Sequence, residues 1–295
     1  MTCPICQNPK IIDLPKIPIY YFCLRCKTAR RKKFNKVNYS QNYYSGKSNL
    51  AAKLIRPLFK FFYLIRRSYV GLDEKGLWID VGAGDGDFLK TVNAKRKIGV
   101  EVSSSSQKKM QSLDLEVMLD KQFLKLKRAD ADVISFWHVL EHLEKPQDYL
   151  KAARENLSRN GKLIIAVPNI DSLEFSIFGK FWFHLEPQFH QWQFSINSMR
   201  LLLKSQNFKV DLIDYISPEH QFAGLLQSFI NTTSGTQNVL HILVKRKLGD
   251  QKIPTKGIVW SLFWLTFGLS VILSFWLTEI IIKRPGTFVM VASKK

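Results

Sequence analysis

Residues 77–90, LWIDVGAGDGDFLK, decide the fold of this 295-residue chain. Their apolar run predicts a buried strand, and the run ends in a turn that holds Gly82, Gly84 and Gly86. Glycine lets a backbone turn sharply and approach a ligand closely, so this turn is a candidate binding loop. A helix is predicted to begin behind the turn, at residues 87–90.

The residues around this turn favour a cationic ligand. A dinucleotide site requires Gly or Ala at the position that Asp87 occupies in the G-x-G-x-x-G spacing. The carboxylates of Asp80 and Asp85 would repel a pyrophosphate, whereas they would attract a ligand that carries an ammonium and a sulfonium. We therefore predict that both aspartates and the three glycines bind such a ligand.

Glu101 closes the second predicted strand, RKIGVEVSSSS, 19 residues beyond Gly82. A carboxylate at this strand end can accept hydrogen bonds from both hydroxyls of a ribose. The alternative is a surface glutamate ahead of a helix that Ser103 or Ser104 caps. The third predicted strand, LEVML, ends at Asp120, which is either a partner for an adenine amino group or the cap of a turn.

A fourth apolar run carries Val133, Ile134 and Phe136, and it delivers Trp137 and His138 to the carboxyl edge of the predicted sheet. Ligands bind at that edge in open α/β sheets. Short β-like runs alternate with helical stretches from residue 71 to about residue 215. This alternation predicts a parallel sheet with helices on both faces.

These segments resemble class I S-adenosylmethionine-dependent methyltransferases. IDVGAGDGDFL is similar to their first motif, GVEVS to the acidic ribose-binding strand end, ADVISFWHVLEHLEKPQDYL to the fourth strand and NGKLIIAVPN to the fifth. The resemblance covers roughly residues 70–215 and is closest to the broad group with a WHVLEHL-type segment, which includes methylases of quinones, sugars and lipids. It implies a Rossmann-like α/β fold, S-adenosyl-L-methionine as cofactor and methyl transfer.

The resemblance also implies roles for single residues. Residues 136–139 would line the methionine side of the cofactor, with Trp137 and His138 among the cofactor-binding residues. His138 is predicted either to contact the cofactor or to deprotonate a substrate hydroxyl, and a local hydrogen bond is the alternative. We expect His142 to be structural.

A later segment, KFWFHLEPQFHQWQFSINSM, resembles a family stretch in which a histidine precedes a Phe-Ser helix start, here Phe194 and Ser195. His190 matches that histidine and is our candidate for an acceptor-side base or contact; a capping or packing histidine is the alternative. Phe189 stands where the family has an arginine, which argues against an anionic group bound there.

All four cysteines lie within the first 26 residues, as Cys3-x2-Cys6, sixteen further residues, and Cys23-x2-Cys26. Two such knuckles together present four thiolates, which predicts a structural zinc ribbon with no open coordination position. A redox pair of CxxC motifs is the alternative. Because the start of the chain lacks the basic and apolar regions of a secretory signal, we expect a cytoplasmic protein.

The charge balance predicts an anionic partner. Lys and Arg number 44 against 24 Asp and Glu, a formal net charge of +20 with a pI near 9.8. Residues 27–36 are strongly basic and lead into a polar linker. Next, Lys53, Arg56, Lys60 and Arg67 share one face of a predicted amphipathic helix, which either docks on anionic lipid or packs on the following domain.

Residues 258–282, IVWSLFWLTFGLSVILSFWLTEIII, are long and apolar enough to reach across a bilayer. However, TFVMVASKK after them resembles the last strand of the sheet, so the chain must return to the compartment it left. We therefore expect the segment to lie in the membrane interface or to dip and return, bending near Gly268, alongside residues 222–244. A buried helix in an enlarged core or at a dimer interface is the alternative.

The predicted organisation is a zinc ribbon at 1–37, a basic linker and amphipathic helix at 38–70, a methyltransferase core at 71–215, an apolar insertion at 216–285 and the last strand at 286–295. The predicted function is methyl transfer to a small-molecule, glycan or lipid-linked acceptor at the inner face of the membrane. Two alternatives are an RNA methyltransferase that grips nucleic acid through the ribbon and basic run, and a non-catalytic zinc-bearing adaptor. The sequence does not indicate an oligomeric state.

Overall fold

The computed structural model describes residues 2–34, 60–71, 73–239 and 254–295. Its centre is a seven-stranded sheet with the order β10-β11-β8-β7-β4-β5-β6, in which only β11 runs against its neighbours. The strands are β4 Lys75–Val81, β5 Ala94–Val100, β6 Glu116–Met118, β7 Ala131–Trp137, β8 Leu157–Pro168, β10 Phe208–Asp214 and β11 Thr287–Lys294.

Helices flank this sheet, so the predicted α/β fold is confirmed. They are α1 Ser104–Gln111, α2 Asp120–Lys125, α3 Pro146–Asn156, α4 Leu173–Phe178, α5 Ile196–Ser205, α6 Pro218–Ser234, α7 Thr255–Thr266 and α8 Leu269–Ile281. The apolar runs that predicted the strands are buried, as in Val133, Ile134 and Phe136 of β7. The carboxyl ends of β4, β5 and β7 therefore share one edge of the sheet.

The helix that was predicted behind the glycine turn is wrong. Only one 3-10 turn, Leu89–Thr91, follows the loop before β5 begins. Thr91 Oγ1 donates a hydrogen bond to the carbonyl of Phe88, and Val92 is already extended. Phe88 and Leu89 are buried in this short turn, and the chain enters β5 at Ala94, three residues after the turn ends.

The N-terminal region forms a small antiparallel sheet of β1 Ile11–Asp13, β2 Tyr20–Cys23 and β3 Ala29–Arg31. A fourth strand, β9 Trp192–Gln193, comes from the core and pairs with β3. Three of the cysteines pack in the same apolar cluster as Trp192 and Phe194. The ribbon is therefore built into the core by a shared sheet.

The predicted amphipathic helix falls partly outside the described residues, which include neither Lys53 nor Arg56. Residues 60–68 are helical, and Lys60 is exposed. Tyr63 packs against the apolar cluster around Trp78, whereas Phe61 on the predicted apolar side is exposed. The described part of this helix thus packs on the domain, which was one of the two expectations.

Helices α7 and α8 cover α6 and share an apolar cluster with it, through Leu225, Trp264 and Ile272. They meet at Gly268, as predicted, with a bend of 72°. A Cβ atom at Gly268 would lie 2.1 Å from the Trp264 ring, so this close turn requires glycine. Among the described residues no single helix could span a membrane, although α7 and α8 taken together have the necessary length and composition.

The chain then returns to the sheet as β11, in the position predicted for the last strand. It lies between β8 and β10 and is antiparallel to both. Gln221 at the start of α6 donates from Nε2 to the carbonyl of Thr287, and its Oε1 accepts from Trp276 Nε1 of α8. The apolar insertion is thereby tied to the sheet.

Candidate cofactor and acceptor site

The glycine turn has the backbone that the sequence predicts. Gly82, Gly84 and Gly86 all have positive φ, at 74°, 55° and 81°. A Cβ atom at Gly82 would come within 2.3 Å of Val139 Cγ2, and one at Gly86 within 2.6 Å of Met110 Cγ. The turn therefore requires glycine for its conformation and for its close packing, at Gly82 against the segment after β7 and at Gly86 against α1.

Asp80 lies beneath this turn in a buried chain of hydrogen bonds. Trp78 Nε1 donates to Ser135 Oγ at 2.9 Å, and Ser135 Oγ donates to Asp80 Oδ1 at 2.6 Å. Burial raises the pKa of Asp80 to about 7, although the Ser135 hydrogen bond and the nearby Arg66 guanidinium oppose that shift. The predicted contact of Asp80 with the cofactor stays a prediction.

Glu101 stands at the carboxyl end of β5, with its carboxylate buried against the turn. Oε2 accepts from Gly84 N at 3.0 Å, while Oε1 accepts from Val102 N and Ser103 N at 2.8 and 2.9 Å. Burial raises the pKa of Glu101, and these hydrogen bonds oppose the rise. A carboxylate accepts about four hydrogen bonds, so roughly one position remains for a ribose hydroxyl.

The other two predicted acidic contacts have protein partners. Asp85 accepts from Ser106 Oγ at 2.9 Å and pairs with Lys109 Nζ at 2.6 Å, so its charge is largely balanced within the protein. Asp120 follows β6 as the first residue of α2, where Oδ2 accepts from Tyr149 OH at 3.3 Å. A role for either residue in cofactor binding stays a prediction.

Trp137 and Arg66 meet at the carboxyl end of β7. The Arg66 guanidinium lies 4.7 Å from the centre of the Trp137 ring, and Tyr69 OH donates to Asp214 Oδ2 at 2.7 Å beside them. Trp137 Nε1 is buried and has no hydrogen-bond partner among the described residues. This donor and the guanidinium fit the carboxylate of a bound amino acid such as the methionine part of the cofactor.

Sequence reasoning missed Arg66 and Tyr69. The helical projection placed Arg67 on a basic solvent face and left Arg66 unassigned. The only local signal was that Arg66 lies three residues after Tyr63 on a helix rich in aromatic residues, and a charge on a packed face requires a partner.

Two histidines lie beside Trp137 at the same cavity. His138 has φ of 56°, and its Nδ1 lies 3.5 Å from Glu141 Oε1. The His138 and His220 ring centres are 3.9 Å apart, and both rings line a small cavity with Arg66. His220, on α6, was not a predicted site residue, because nothing in the local sequence brings α6 to this edge.

His190 lies in a second, buried group with His142, whose ring centre is 4.6 Å away. Its Nε2 is 3.4 Å from Glu186 Oε2, and Gln193 Nε2 is 3.3 Å from its Nδ1. Burial, reinforced by the neighbouring histidines, holds the pKa of His190 well below its usual range. Its predicted role as an acceptor-side base or contact stays a prediction.

The four cysteine sulfurs converge as the ribbon prediction requires. Cys3 Sγ and Cys26 Sγ are 3.6 Å apart, Cys6 Sγ and Cys23 Sγ are 3.5 Å apart, and all four lie within 4.8 Å of one another. A tetrahedral ion with Zn–S distances of about 2.3 Å separates its sulfurs by roughly 3.8 Å. The donor set and spacing fit zinc.

Known proteins are similar to the chain in sequence and in fold. Residues 51–213 match the family model described as a methyltransferase domain. An uncharacterized protein of Methanocaldococcus jannaschii is 33% identical over 99 residues, which are 33% of this chain and 47% of that protein. The chain thus spans about half the length of the curated relative that it matches.

Two solved structures illustrate the likeness in fold. A putative sarcosine dimethylglycine methyltransferase from Galdieria sulphuraria covers 83% of this chain and 88% of its own, with 12% identity and a TM-score of 0.51. A SAM-dependent methyltransferase from Archaeoglobus fulgidus covers 86% of this chain and 97% of its own, with 16% identity and a TM-score of 0.46. Since the family model spans more than half of the residues, the chain belongs to the methyltransferase-domain family.

Proposed function

We propose that this protein transfers a methyl group from S-adenosylmethionine to a small-molecule, glycan or lipid-linked acceptor, and that it works as a peripheral protein on the inner face of the cytoplasmic membrane. The observation that carries the proposal is a broad exposed apolar surface on α7 and α8, joined to the cofactor edge through α6. His220 of α6 lines the cavity, and the next residue, Gln221, bonds to Trp276 of α8.

The cofactor would lie along the carboxyl edge of β4, β5 and β7. Gly84 and Glu101 would hold the ribose side, and Trp137 with Arg66 the carboxylate of the methionine side. When bound, S-adenosylmethionine supplies an electrophilic methyl group on a sulfonium. Positioning supplies much of the rate of such an in-line displacement, and a base matters only for a poorly acidic nucleophile.

His138 is the side chain best placed to take a proton from the acceptor. Its ring lines the cavity next to Trp137, and its Nδ1 faces the Glu141 carboxylate at 3.5 Å, which can orient the ring. Its left-handed backbone turns the side chain out of the β7 direction at the edge of the sheet. His190 supports this side of the site from the buried group.

The apolar surface, defined by twelve exposed side chains, would insert into the headgroup region of the bilayer. They are Ile258, Val259, Leu262, Phe263, Leu265, Phe267, Leu269, Val271, Leu273, Leu277, Ile281 and Ile282. A concentration of exposed apolar side chains on two consecutive helices suits an interaction site, and Lys256 and Lys283 at its ends suit an anionic membrane. Each basic residue near such a membrane contributes about 1 kcal/mol, which salt screens.

Vesicle flotation tests this surface. Phe267 and Ile281 are 79% and 77% exposed, and burying each side chain in the bilayer would contribute about 1.5–3 kcal/mol to binding. The double substitution of Phe267→Ser with Ile281→Ser removes most of both contributions. We expect binding to phosphatidylglycerol vesicles to weaken by at least about 100-fold. The matched control, Ile12→Ser with Leu212→Ser, changes apolar residues that are 42% and 46% exposed elsewhere and should bind as the wild type does.

High salt should weaken the binding without abolishing it, because the apolar part persists. Tags at the two ends of the chain should be digested from the same side of the membrane. Equal binding by both double variants, or tags on opposite sides, would contradict the peripheral arrangement.

Transfer of a labelled methyl group to separate pools of membrane lipid, soluble glycan and RNA identifies the acceptor class. The net charge of +20 favours an RNA methyltransferase as the second candidate. Label confined to RNA would replace our proposal with that candidate. Absence of cofactor binding in calorimetry would instead favour the non-catalytic adaptor.

We also propose that the four cysteines hold one structural zinc ion. The ion would have no open position and no part in methyl transfer. It would stabilise the ribbon and, through β9, the segment that carries His190.

A further inference from the structure

The 3-10 turn Leu140–His142, which follows β7, places a carboxylate in the interior. Glu141 is only 1% exposed, and no donor among the described residues makes a hydrogen bond to either of its carboxylate oxygens. The His138 ring approaches one oxygen at 3.5 Å without the geometry of a hydrogen bond. Buried carboxylates are costly unless they are hydrogen-bonded, paired or bound to a metal, so this one requires a further partner.

Two imidazoles stand beside that carboxylate. Glu141, His142 and His190 each offer one ligand atom, and these three atoms lie within 4.8 Å of one another. The His142 and His190 rings meet nearly edge to face, at 76°. Two imidazole nitrogens and one carboxylate oxygen are a donor set that first-row divalent metals prefer.

The two segments that carry these residues are tied together. Gln191 N donates to the carbonyl of Glu141 at 2.8 Å, so a backbone hydrogen bond joins the segment after β7 to the segment that carries His190. Tyr20 OH of the ribbon donates to the carbonyl of His190 at 2.7 Å. The side chains of Glu186 and Gln193 flank the His190 ring on its two nitrogens. An ion would replace one of these two contacts, and the other would hold the ligating imidazole in place.

We propose that Glu141, His142 and His190 bind a divalent transition-metal ion, separate from the zinc of the four cysteines. Three protein ligands leave coordination positions open, unlike a closed structural site. His142 is the least buried of the three residues, although its Nδ1 is buried. Because Glu141 also faces His138 at the cavity, an open position could accept an oxygen of the methyl acceptor; this last step rests on the proposed function.

Cobalt titration of the full-length protein tests the site, after metal has been removed with a chelator. Thiolates give an intense charge-transfer band in the near ultraviolet, whereas a site of two histidines and a glutamate gives only weak visible bands. We expect two equivalents per chain by elemental analysis, one with each signature. A single equivalent with thiolate character only would overturn the proposal without any variant.

Three variants locate the second ion. Glu141→Gln and His142→Asn should lose the second equivalent and its visible bands, and they should keep the thiolate band, which also reports that the ribbon remains folded. His220→Asn is the matched control, since it changes a neighbouring histidine outside the group and should keep both equivalents. Retention of both equivalents in all three variants would place the second ion elsewhere and overturn the assignment.

This outcome is separable from the proposed function. Cofactor calorimetry and vesicle flotation need no second metal, so either can succeed while the cobalt titration fails.

Discussion

Substitution of Gly82 by alanine tests how the glycine turn packs. Gly82 has φ of 74°, and its Cβ position lies 2.3 Å from Val139 Cγ2, well inside any real contact. Val139 precedes the 3-10 turn that carries Glu141, so the clash would push directly on that turn.

Two physical contributions set the size of the effect. A left-handed backbone costs a non-glycine residue about 1–2 kcal/mol. Overpacking of a tight interior site costs about 1–3 kcal/mol more. We therefore expect Gly82→Ala to lower the free energy of unfolding by about 2–5 kcal/mol.

Gly235 provides the matched control. It ends α6 with φ of 69°, and no atom lies within 4 Å of its Cβ position. Gly235→Ala should therefore lower the free energy of unfolding by the backbone contribution alone, about 1–2 kcal/mol.

Urea unfolding separates these contributions when four variants are compared. They are Gly82→Ala, Gly235→Ala, Val139→Ala and the double variant that combines Gly82→Ala with Val139→Ala. If the clash is real, Val139→Ala should lower the free energy of unfolding less in the Gly82→Ala variant than in the wild type, by about 1–3 kcal/mol. Equal losses for Gly82→Ala and Gly235→Ala, with no coupling to Val139, would refute the packing argument.

Three further predictions concern the cofactor, pH and the ribbon. Glu101→Gln should weaken the affinity for S-adenosylmethionine, measured by calorimetry, by about 10- to 100-fold, because one hydrogen bond to a charged group is worth about 1.5–3 kcal/mol. Glu116→Gln, which changes an exposed residue on β6, is the control and should bind as the wild type does. Equal affinities of Glu101→Gln and the wild type would reject the ribose contact. Burial raises the pKa of Asp80 from 3.8 to about 7, so stability that is full below about pH 4 should decline by about 4 kcal/mol as pH rises through 7. The Asp80→Asn variant should lack this decline when its free energy of unfolding is measured in urea at each pH. A difference in unfolding free energy between the wild type and Asp80→Asn that stays constant with pH would contradict the raised pKa. Cys26→Ser should lose the ribbon zinc and exchange the amides of residues 186–195 faster, since Ser195 Oγ donates to the Cys26 carbonyl. Its affinity for the cofactor should be unchanged. A zinc content equal to that of the wild type would contradict the ribbon assignment.

Much of the fold could be predicted because its signals are local. Buried parallel strands appear as short apolar runs, and the turn after β4 appears as three glycines within five residues. The break at Gly268 and the final strand TFVMVASKK also depend on short patterns. By contrast, the helix after the glycine turn was wrong because the burial of Phe88 and Leu89 overrides helical periodicity there.

The candidate site could be predicted only in part. Glu101 could be placed by its spacing from Gly82, because each residue directly follows one of two neighbouring parallel strands. Arg66 could not, because its partner, the Trp137 ring, lies 71 positions away and on another element.

By itself, the sequence determined the strands, the glycine turn, the four-cysteine spacing and membership of a methyltransferase-like fold, since each of these depends on residues close together in the chain. Only the tertiary structure decided that β9 extends the ribbon sheet, and that Tyr20 holds a carbonyl 170 positions away beside Glu141 and His142. Such contacts arise when whole elements pack, and the free energy that selects them belongs to buried surfaces and paired polar groups rather than to any local pattern.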